Sequence, residues 1–218
     1  MSFARTDLQS RIDIETLYHF EDAIARGNGV IVASMHFGSW EVGIAGWNKM
    51  GHKMALLAEV LRPRRLFDRV IGSRGAQGVQ VIPIDTKAMR EGDPQVARRL
   101  GAASMREVFK VLRSGGVVAM ALDRDLIGNG EPLAFFGQPA PIPIGAVEIA
   151  LRAGAAIVPI VLFRNKYRVH AVVSPELQYS VDAPRDAEVR KTAQMLLRIF
   201  EDAIREYPEQ WHVLDPIW

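Results

Sequence analysis

The sequence predicts an α/β fold, in which helices cover both faces of a mostly parallel, twisted sheet. Short apolar runs alternate along the chain with segments whose apolar residues recur at helical spacing. Glycine or proline lies at most of the boundaries between these segments. Repeated alternation of strand and helix implies crossover connections, which place helices on both faces of a largely parallel sheet. The chain has 218 residues, and we expect it to form a single domain over residues 1–218.

The predicted strands are short apolar runs followed by turn residues. They lie at residues 30–34, 54–58, 79–82, 117–122, 157–162 and 167–173. The polar flanks of the last run favour an edge position. Pro159 lies inside the predicted strand at 157–162 and weakens that assignment, because proline cannot donate a hydrogen bond to a neighbouring strand.

The predicted helices alternate with these strands. The first is indicated by apolar residues at helical spacing, namely Ile14, Leu17, Phe20, Ala23 and Ile24. It ends at Gly27 and Gly29. The others lie at residues 40–50, from 63 to 75–78, and at 94–112, 143–153 and 184–206. Residues 83–92 and 123–141 are predicted loops, and the second, rich in turn residues, is the expected functional loop.

Three ionisable residues follow predicted strands directly. Active sites of open parallel sheets lie beyond the carboxyl ends of the strands. His36, Glu59 and Asp123 each come just after such a strand, so we expect all three on the same rim of the sheet.

His36 and Glu41, five positions apart, form a minimal general-base pair. On a continuous helix such residues are rotated by about 140° and do not meet. Ser39 is a predicted N-cap for a helix that begins at Trp40, so His36 lies in the preceding turn, which can fold back over the first helical turn. A carboxylate there can orient the ring and stabilise the imidazolium. A histidine beside an acid is also often an ordinary hydrogen-bonded pair, and the pair alone leaves both interpretations open.

Several classes of protein and site are excluded or disfavoured. The chain has no cysteine, which excludes disulfides, thiolate metal sites and a thiol nucleophile. It has no signal-peptide pattern and no apolar run of the roughly 18 residues that span a bilayer. The common serine-hydrolase, phosphate-loop and zinc-helix motifs are absent, and the five histidines show no metal-ligand spacing, so we expect no metal.

The arginines between residues 62 and 74 form the clearest charge cluster. Five arginines stand there against the single acid Asp68, although the net charge of the chain is only +2. Such a run is often a solvated helix face. It also suits an anionic partner, such as phospholipid head groups, a phosphorylated acceptor or an acidic carrier protein. The overall charge gives no reason to expect a nucleic-acid partner.

The residues around His36 resemble a known family. The segment 34–43, which contains His36-x-x-x-x-Glu41, resembles the H-x4-[DE] motif of glycerolipid and lipid A acyltransferases. The branch in question includes bacterial lauroyl/myristoyl lipid A acyltransferases and mycobacterial phosphatidylinositol mannoside acyltransferases. Further segments resemble the family's blocks in the same order, at residues 59–63, 74–83, 123–145 and 207–218. The likeness covers about residues 20–218.

The resemblance implies an acyltransferase αβα fold and roles for particular residues. His36 would deprotonate an acceptor hydroxyl, which attacks the thioester of an acyl carrier protein or acyl-CoA, and no cofactor is implied. Glu41 would hold the ring or order the turn. Asp123 stands where the mannoside acyltransferases place an acid thought to pair with the histidine, and a loop cap is the alternative. Arg74 would meet a phosphate or developing negative charge, unless it is a surface helix charge. Glu59 would lie near the acceptor or cap a helix.

Aromatic residues are the candidates for contact with lipid. Phe135 and Phe136 lie in a glycine-bounded loop, which favours a lipid-facing role. Further candidates for an acyl groove are Trp40, Trp47 and Met50, of which the last two are expected to favour the core. The C-terminal tryptophans, Trp211 and Trp218, either close the core or insert among lipid head groups.

We therefore expect an O-acyltransferase that acts on a lipid A-like or phospholipid-like hydroxyl. Its expected location is the cytoplasm or the cytoplasmic face of the bacterial inner membrane, as a peripheral protein. Family members usually carry a membrane-associated helix ahead of the first strand, whereas this chain starts almost at the strand, which leaves membrane attachment open. The alternatives are a thioesterase or esterase that uses the same His/acid pair, and a non-catalytic lipid-binding relative.

Overall fold

The computed structural model describes residues 11–49, 52–213 and 216–218 and confirms the predicted α/β class. Its strands are β1 Ile12–Glu15, β2 Val30–Ser34, β3 Met54–Glu59, β4 Gln80–Ile84, β5 Val117–Ala121, β6 Glu131–Phe135, β7 Gln138–Ile142, β8 Ala156–Asn165 and β9 Arg168–Val173. Its α-helices are α1 Tyr18–Ala25, α2 Trp40–Lys49, α3 Arg64–Gly75, α4 Thr86–Glu91, α5 Pro94–Arg113, α6 Gly145–Ala153 and α7 Arg185–Glu206. No helix in the described ranges is long and apolar enough to cross a membrane.

Seven of the strands form one sheet in the order β1-β9-β8-β2-β5-β3-β4, and β6 pairs with β7 in a separate hairpin. The strands from β8 to β4 run parallel to one another. Strand β9 runs antiparallel to β8, and β1 pairs with β9 in parallel. The carboxyl ends of β2, β3 and β5 therefore meet at one edge of the sheet, which is the topological condition for the predicted site.

The central strands are buried on both faces because their side chains alternate between two apolar clusters. From β2, Ile31 and Ala33 enter the cluster beneath α5, α6 and α7, whereas Val30 and Val32 enter the cluster beneath α1 and α2. Burial of a valine or isoleucine side chain contributes about 1.5–3 kcal/mol. This pattern explains why β2 reads as a continuous apolar run rather than as an alternating one.

Two predictions for the edge of the sheet are wrong. Ile14 belongs to β1 rather than to the first helix, which begins at Tyr18. Residues 167–173 do not form an edge, because β9 is paired with β8 on one side and with β1 on the other. Pro159 lies within β8, just before Ile160 begins the antiparallel pairing with β9, so the strand tolerates the missing donor.

Two predicted loops contain regular structure. In residues 83–92, β4 continues to Ile84, and the carboxylate of Asp85 then accepts the N–H of Ala88 and caps α4. In residues 123–141, β6 and β7 form a hairpin around Phe136 and Gly137, which both have positive φ. Both segments contain prolines, which are typical of loops, so the sequence did not predict these elements. The predicted helix end at Met50 lies outside the described residues.

Gly29 marks a close approach between two layers. Its φ is +80°, and a Cβ atom there would lie 2.4 Å from the carbonyl oxygen of Leu112 at the end of α5. Gly27 also has a positive φ, +73°, but a Cβ atom there would have no neighbour within 4 Å. The two glycines thus share a backbone requirement and differ in the space available.

This difference predicts unequal effects of alanine on stability. Gly27→Ala should lower the free energy of unfolding by about 1–2 kcal/mol, which is the cost of a left-handed conformation for a residue with a Cβ atom. Gly29→Ala should cost clearly more, because the backbone must also move away from Leu112. Urea denaturation of both variants measures the difference, and equal losses would contradict the assigned contact.

Candidate active site

His36 lies in the short connection between β2 and α2, at the carboxyl edge of the sheet. Met35 before it and Phe37 after it are buried, and both belong to the core. Ser39 occupies the predicted cap position, because α2 begins at Trp40 and the Ser39 carbonyl accepts the N–H groups of Val42 and Gly43. Anchored on both sides, the turn presents an imidazole whose side chain is 27% exposed.

The structure brings His36 together with Asp123, the residue that follows β5 and Leu122. The His36 Nδ1 atom lies 2.8 Å from Asp123 Oδ1. The backbone N–H of His36 donates to Asp123 Oδ2 at 3.0 Å. Strands β2 and β5 are direct neighbours in the sheet, with Ser34 opposite Ala121, which explains why these two residues meet.

The environment of Asp123 determines the tautomer of His36. The Asp123 side chain is fully buried, and the indole Nε1–H of Trp211 also donates to its Oδ2 atom at 3.0 Å. Because Oδ2 already accepts two N–H groups, the arrangement favours the tautomer in which Nδ1 of His36 donates to Oδ1. The lone pair of the neutral ring is then on Nε2, which has no protein partner among the described residues.

Glu41 pairs with Arg74 and not with His36, the partner that the sequence suggested. Its Oε1 atom accepts a hydrogen bond from Arg74 Nη2 at 2.5 Å. The Arg74 guanidinium also lies over the ring of Trp40, 5.3 Å from its centroid, and that ring meets His36 edge-on. The ring of His36 is therefore held by Asp123, and Glu41 reaches it only through Arg74 and Trp40.

Arg74 is not a surface charge. Its side chain is only 11% exposed, whereas the side chains of Arg62 and Arg64 are 57% and 72% exposed. Arg62 pairs with Asp85 and Arg64 with Asp68. Within the described ranges, Arg65 and Arg69 are exposed and form no ion pair. The arginine cluster therefore divides into Arg74 at the site and others that are exposed on α3 or just before it.

A cavity of about 750 Å³ opens beside these residues. Its polar rim includes His36, Glu41, Glu59 and Arg74. Its apolar wall includes side chains from β2, α2, β3 and β5, namely Val32, Ile44, Trp47, Met54, Leu56 and Ala119. Both Glu59 and Met54 line it, and these are the two ends of β3, so the cavity follows this strand for roughly 16 Å at about 3.3 Å per residue. A polar mouth over a deep apolar slot suits an amphiphilic ligand.

Glu59 lies at this rim but does not cap a helix. Its Oε1 atom accepts a hydrogen bond from the hydroxyl of Thr86, which is buried at the start of α4. The cap of α4 is Asp85. Glu59 therefore remains available as a polar group that lines the cavity.

Phe135 and Phe136 do not line the cavity, contrary to the sequence prediction. Phe135 is 1% exposed and packs against Trp211 and Trp218. Phe136 donates its backbone N–H to Glu201, and the guanidinium of Arg205 lies over its ring. The hairpin turn aims both rings at the core and α7. Trp40 and Trp47 do line the cavity, and Trp47 is also buried in the core, as expected. Met50 lies outside the described residues.

Sequence reasoning missed the link between Trp211 and Asp123. The two residues are 88 positions apart, and Trp211 was expected to close the core or contact lipid head groups. The only available signal was the likeness of residues 207–211 to the family's C-terminal block, which gives no partner. Among the described residues, no group of three or more His, Asp or Glu side chains is placed to hold a metal ion.

Comparison with known proteins finds a matching family and similar sequences. A family described as bacterial lipid A biosynthesis acyltransferase matches residues 1–218. A phosphatidylinositol mannoside acyltransferase of Mycobacterium tuberculosis is 29% identical over 208 residues, which are 93% of this chain and 58% of that protein. The protein of the same description from Mycolicibacterium smegmatis is 26% identical over 211 residues, which are 97% of this chain and 64% of that protein. The chain thus spans about three-fifths of the length of these relatives.

The apolar slot predicts binding of a long-chain fatty acid. Ala119→Phe places a ring where the slot crosses β5 and should displace about three methylenes, weakening binding roughly thirtyfold to a hundredfold at about 0.8 kcal/mol per methylene. The control is Ala103→Phe, an equal change on the exposed surface of α5. Titration with the fluorescent fatty acid cis-parinaric acid measures both, and equal affinities would show that the slot is not the binding site.

Proposed function

The chain belongs to the bacterial lipid A biosynthesis acyltransferase family, and on this premise we propose that it is an O-acyltransferase. It moves a fatty acyl chain from the thioester of an acyl carrier protein or acyl-CoA to a hydroxyl of a lipid or glycolipid. The observation that supports this proposal is the hydrogen bond between His36 and the buried Asp123 at the mouth of a deep apolar cavity. A base, its orienting acid and a lipid-sized slot then meet at one edge of the sheet.

In the proposed reaction, His36 is the general base. Its Nε2 atom takes the proton of the acceptor hydroxyl as the oxygen attacks the thioester carbonyl carbon. The C–S bond then breaks, and the leaving thiolate takes the proton from the imidazolium. Asp123, whose negative charge faces Nδ1–H, stabilises the imidazolium between these two proton transfers. Alignment of the two substrates in one cavity supplies much of the rate enhancement, because the reaction becomes effectively unimolecular.

The rim residues divide between the two substrates. Arg74 lines the cavity with a guanidinium that can donate two parallel hydrogen bonds, and we assign it to a phosphate group or to the oxyanion that develops on the thioester carbonyl. Its pair with Glu41 leaves other guanidinium N–H groups free to bind such an oxygen. Glu59 is assigned to the hydroxyl-bearing head group of the acceptor, because a carboxylate accepts hydrogen bonds from hydroxyl groups.

The outer surface of α3 is proposed to face an anionic membrane surface. Arg65 and Arg69 are exposed there with Leu66, which is 46% exposed. Leu61, just before the helix, is 38% exposed and also lines the cavity. Exposed leucines beside arginines suit the boundary between head groups and acyl chains. The proposed location is therefore the cytoplasmic face of the bacterial inner membrane, with peripheral contact through α3.

Three substitutions test the catalytic assignment. His36→Ala should lower the rate of acyl transfer about a hundredfold or more, because the base is lost. Asp123→Asn should have an effect of similar size, because an amide cannot stabilise the imidazolium and its NH₂ group favours the wrong tautomer. Glu41→Gln should cost less than about tenfold, since Glu41 acts only through Arg74. Transfer of radiolabelled acyl chains from carrier protein or CoA to a lipid extract measures all three.

Equal rates in wild type and His36→Ala would refute the assigned base. Thioester consumption with release of free fatty acid and no labelled lipid would instead identify a hydrolase. An inactive wild-type protein that still binds lipid would identify a non-catalytic binding domain. An effect of Glu41→Gln as large as that of Asp123→Asn would restore Glu41 as the orienting acid.

A second prediction concerns α3. The double variant Arg65→Glu with Arg69→Glu should bind phosphatidylglycerol-containing vesicles roughly thirtyfold more weakly or worse, because each basic residue near an anionic surface contributes about 1 kcal/mol. The control is Lys53→Glu with Arg113→Glu, which makes the same charge change before β3 and β5, at the opposite edge of the sheet. Vesicle flotation measures both. Unchanged flotation together with weaker binding of acyl carrier protein would assign α3 to the carrier.

A further inference from the structure

Trp211 contacts the acid of the proposed catalytic pair, although it lies outside the strands and loops that carry the site. It follows α7 and a 3-10 turn at Pro208–Gln210, close to the end of the chain. Its indole Nε1–H donates to Asp123 Oδ2 at 3.0 Å. Its ring lies edge-on to the buried Phe135, which fixes the plane of the indole.

The backbone around Trp211 is joined to the turn that carries His36. The N–H of Gly38 donates to the carbonyl of Gln210 at 2.8 Å, and the N–H of His212 donates to the carbonyl of His36 at 2.7 Å. Between these two bonds, Phe37 and Trp211 face each other in an antiparallel bridge. Residues 207–212, which we call the C-terminal segment, therefore act as a short partner strand for the turn.

The C-terminal segment is itself fixed to the sheet. The Gln210 side chain accepts the backbone N–H of Arg164 at 2.7 Å and donates to the Arg164 carbonyl at 3.0 Å. The ring of Tyr207 stacks on Phe163, with centroids 5.0 Å apart and planes 12° from parallel. Both contacts are with β8, so the C-terminal segment holds the turn in a fixed position relative to the sheet.

The turn is confined from the other side as well. Gly38 has a φ of +55°, and a Cβ atom there would lie 2.2 Å from the carbonyl oxygen of Leu162 in β8. With β8 on one side and the C-terminal segment on the other, the turn has little room to move. The imidazole and the carboxylate thus share one rigid support.

We infer that Trp211 is a positioning residue for the proposed reaction, which holds the Asp123 carboxylate in the orientation that directs Oδ1 at Nδ1 of His36. The torsion of an aspartate carboxylate is broad, so hydrogen bonds must select one orientation. Two N–H groups, from His36 and Trp211, hold Oδ2 and leave Oδ1 for the ring. Without the indole donor, the carboxylate rotates more freely and the ring loses its fixed direction. This inference rests on the proposed function.

The test removes the donor and keeps an aromatic ring. Trp211→Phe should lower kcat about tenfold to a hundredfold and leave KM within about twofold, because misplacement of a base affects the transition state and not substrate binding. The matched control is Trp218→Phe. Trp218 also packs on Phe135 but is 59% exposed and donates no hydrogen bond among the described residues. It should retain the wild-type kcat.

A spectroscopic readout separates this inference from the proposed function. In wild type labelled with ¹⁵N-histidine, the Nδ1–H proton of His36 should give a strongly deshielded resonance, identified by its absence in His36→Ala. Trp211→Phe should broaden this resonance or shift it upfield, and Trp218→Phe should leave it unchanged. The NMR result stands even if the protein transfers no acyl chain, in which case only the proposed function fails.

A second variant covers the case in which Trp211→Phe does not fold. Gln210→Ala removes the two bonds to Arg164 from an outer position and leaves the core intact. It should lower kcat and broaden the same resonance, to a smaller extent. An unchanged resonance and an unchanged kcat in the folded Trp211→Phe variant, or in Gln210→Ala if Trp211→Phe does not fold, would overturn the inference.

Discussion

The buried carboxylate of Asp123 is the interaction on which the arrangement of the site depends. Burial of a carboxylate away from water costs free energy unless hydrogen bonds compensate for the lost hydration. Here the backbone N–H of His36, the indole N–H of Trp211 and the His36 ring surround it. These partners come from the turn after β2 and from the end of the chain, while Asp123 itself follows β5. One side chain therefore joins three distant segments, and each of them is held in place by the other two.

The sheet explains why such a group can serve chemistry as well as stability. Parallel neighbours β2 and β5 deliver His36 and Asp123 to the same edge, and β3 adds Glu59. Below this polar edge, the cluster formed by α1, α2 and the sheet leaves an apolar slot instead of closing completely. A histidine–carboxylate pair over a hydrocarbon-lined space suits the acyl transfer to a lipid that we propose. The chain is similar to proteins named as phosphatidylinositol mannoside acyltransferases.

Much of the fold could be predicted because the central strands are buried on both faces. Strands β2, β3, β5 and β8 read as apolar runs, and glycine or proline marks the helices around them. The errors fell where these signals fail. Strand β1 is half-buried and reads like the start of the helix that follows, and β6 and β7 carry prolines that pattern reasoning assigns to loops. Whether a strand lies at the edge or in the interior of a sheet depends on long-range pairing, so β9 was wrongly predicted to be an edge strand.

The sequence by itself determined that a histidine stands at the end of a buried strand, and that Glu59 and Asp123 follow strands on the same rim. It did so because apolar runs define parallel strands, and parallel strands share a carboxyl edge. Only the tertiary structure decided that Asp123 rather than Glu41 holds the ring, that Arg74 turns inward, and that Phe135 belongs to the core. Those outcomes depend on the direction of side chains and on contacts between residues 33 to 88 positions apart, which local spacing does not encode.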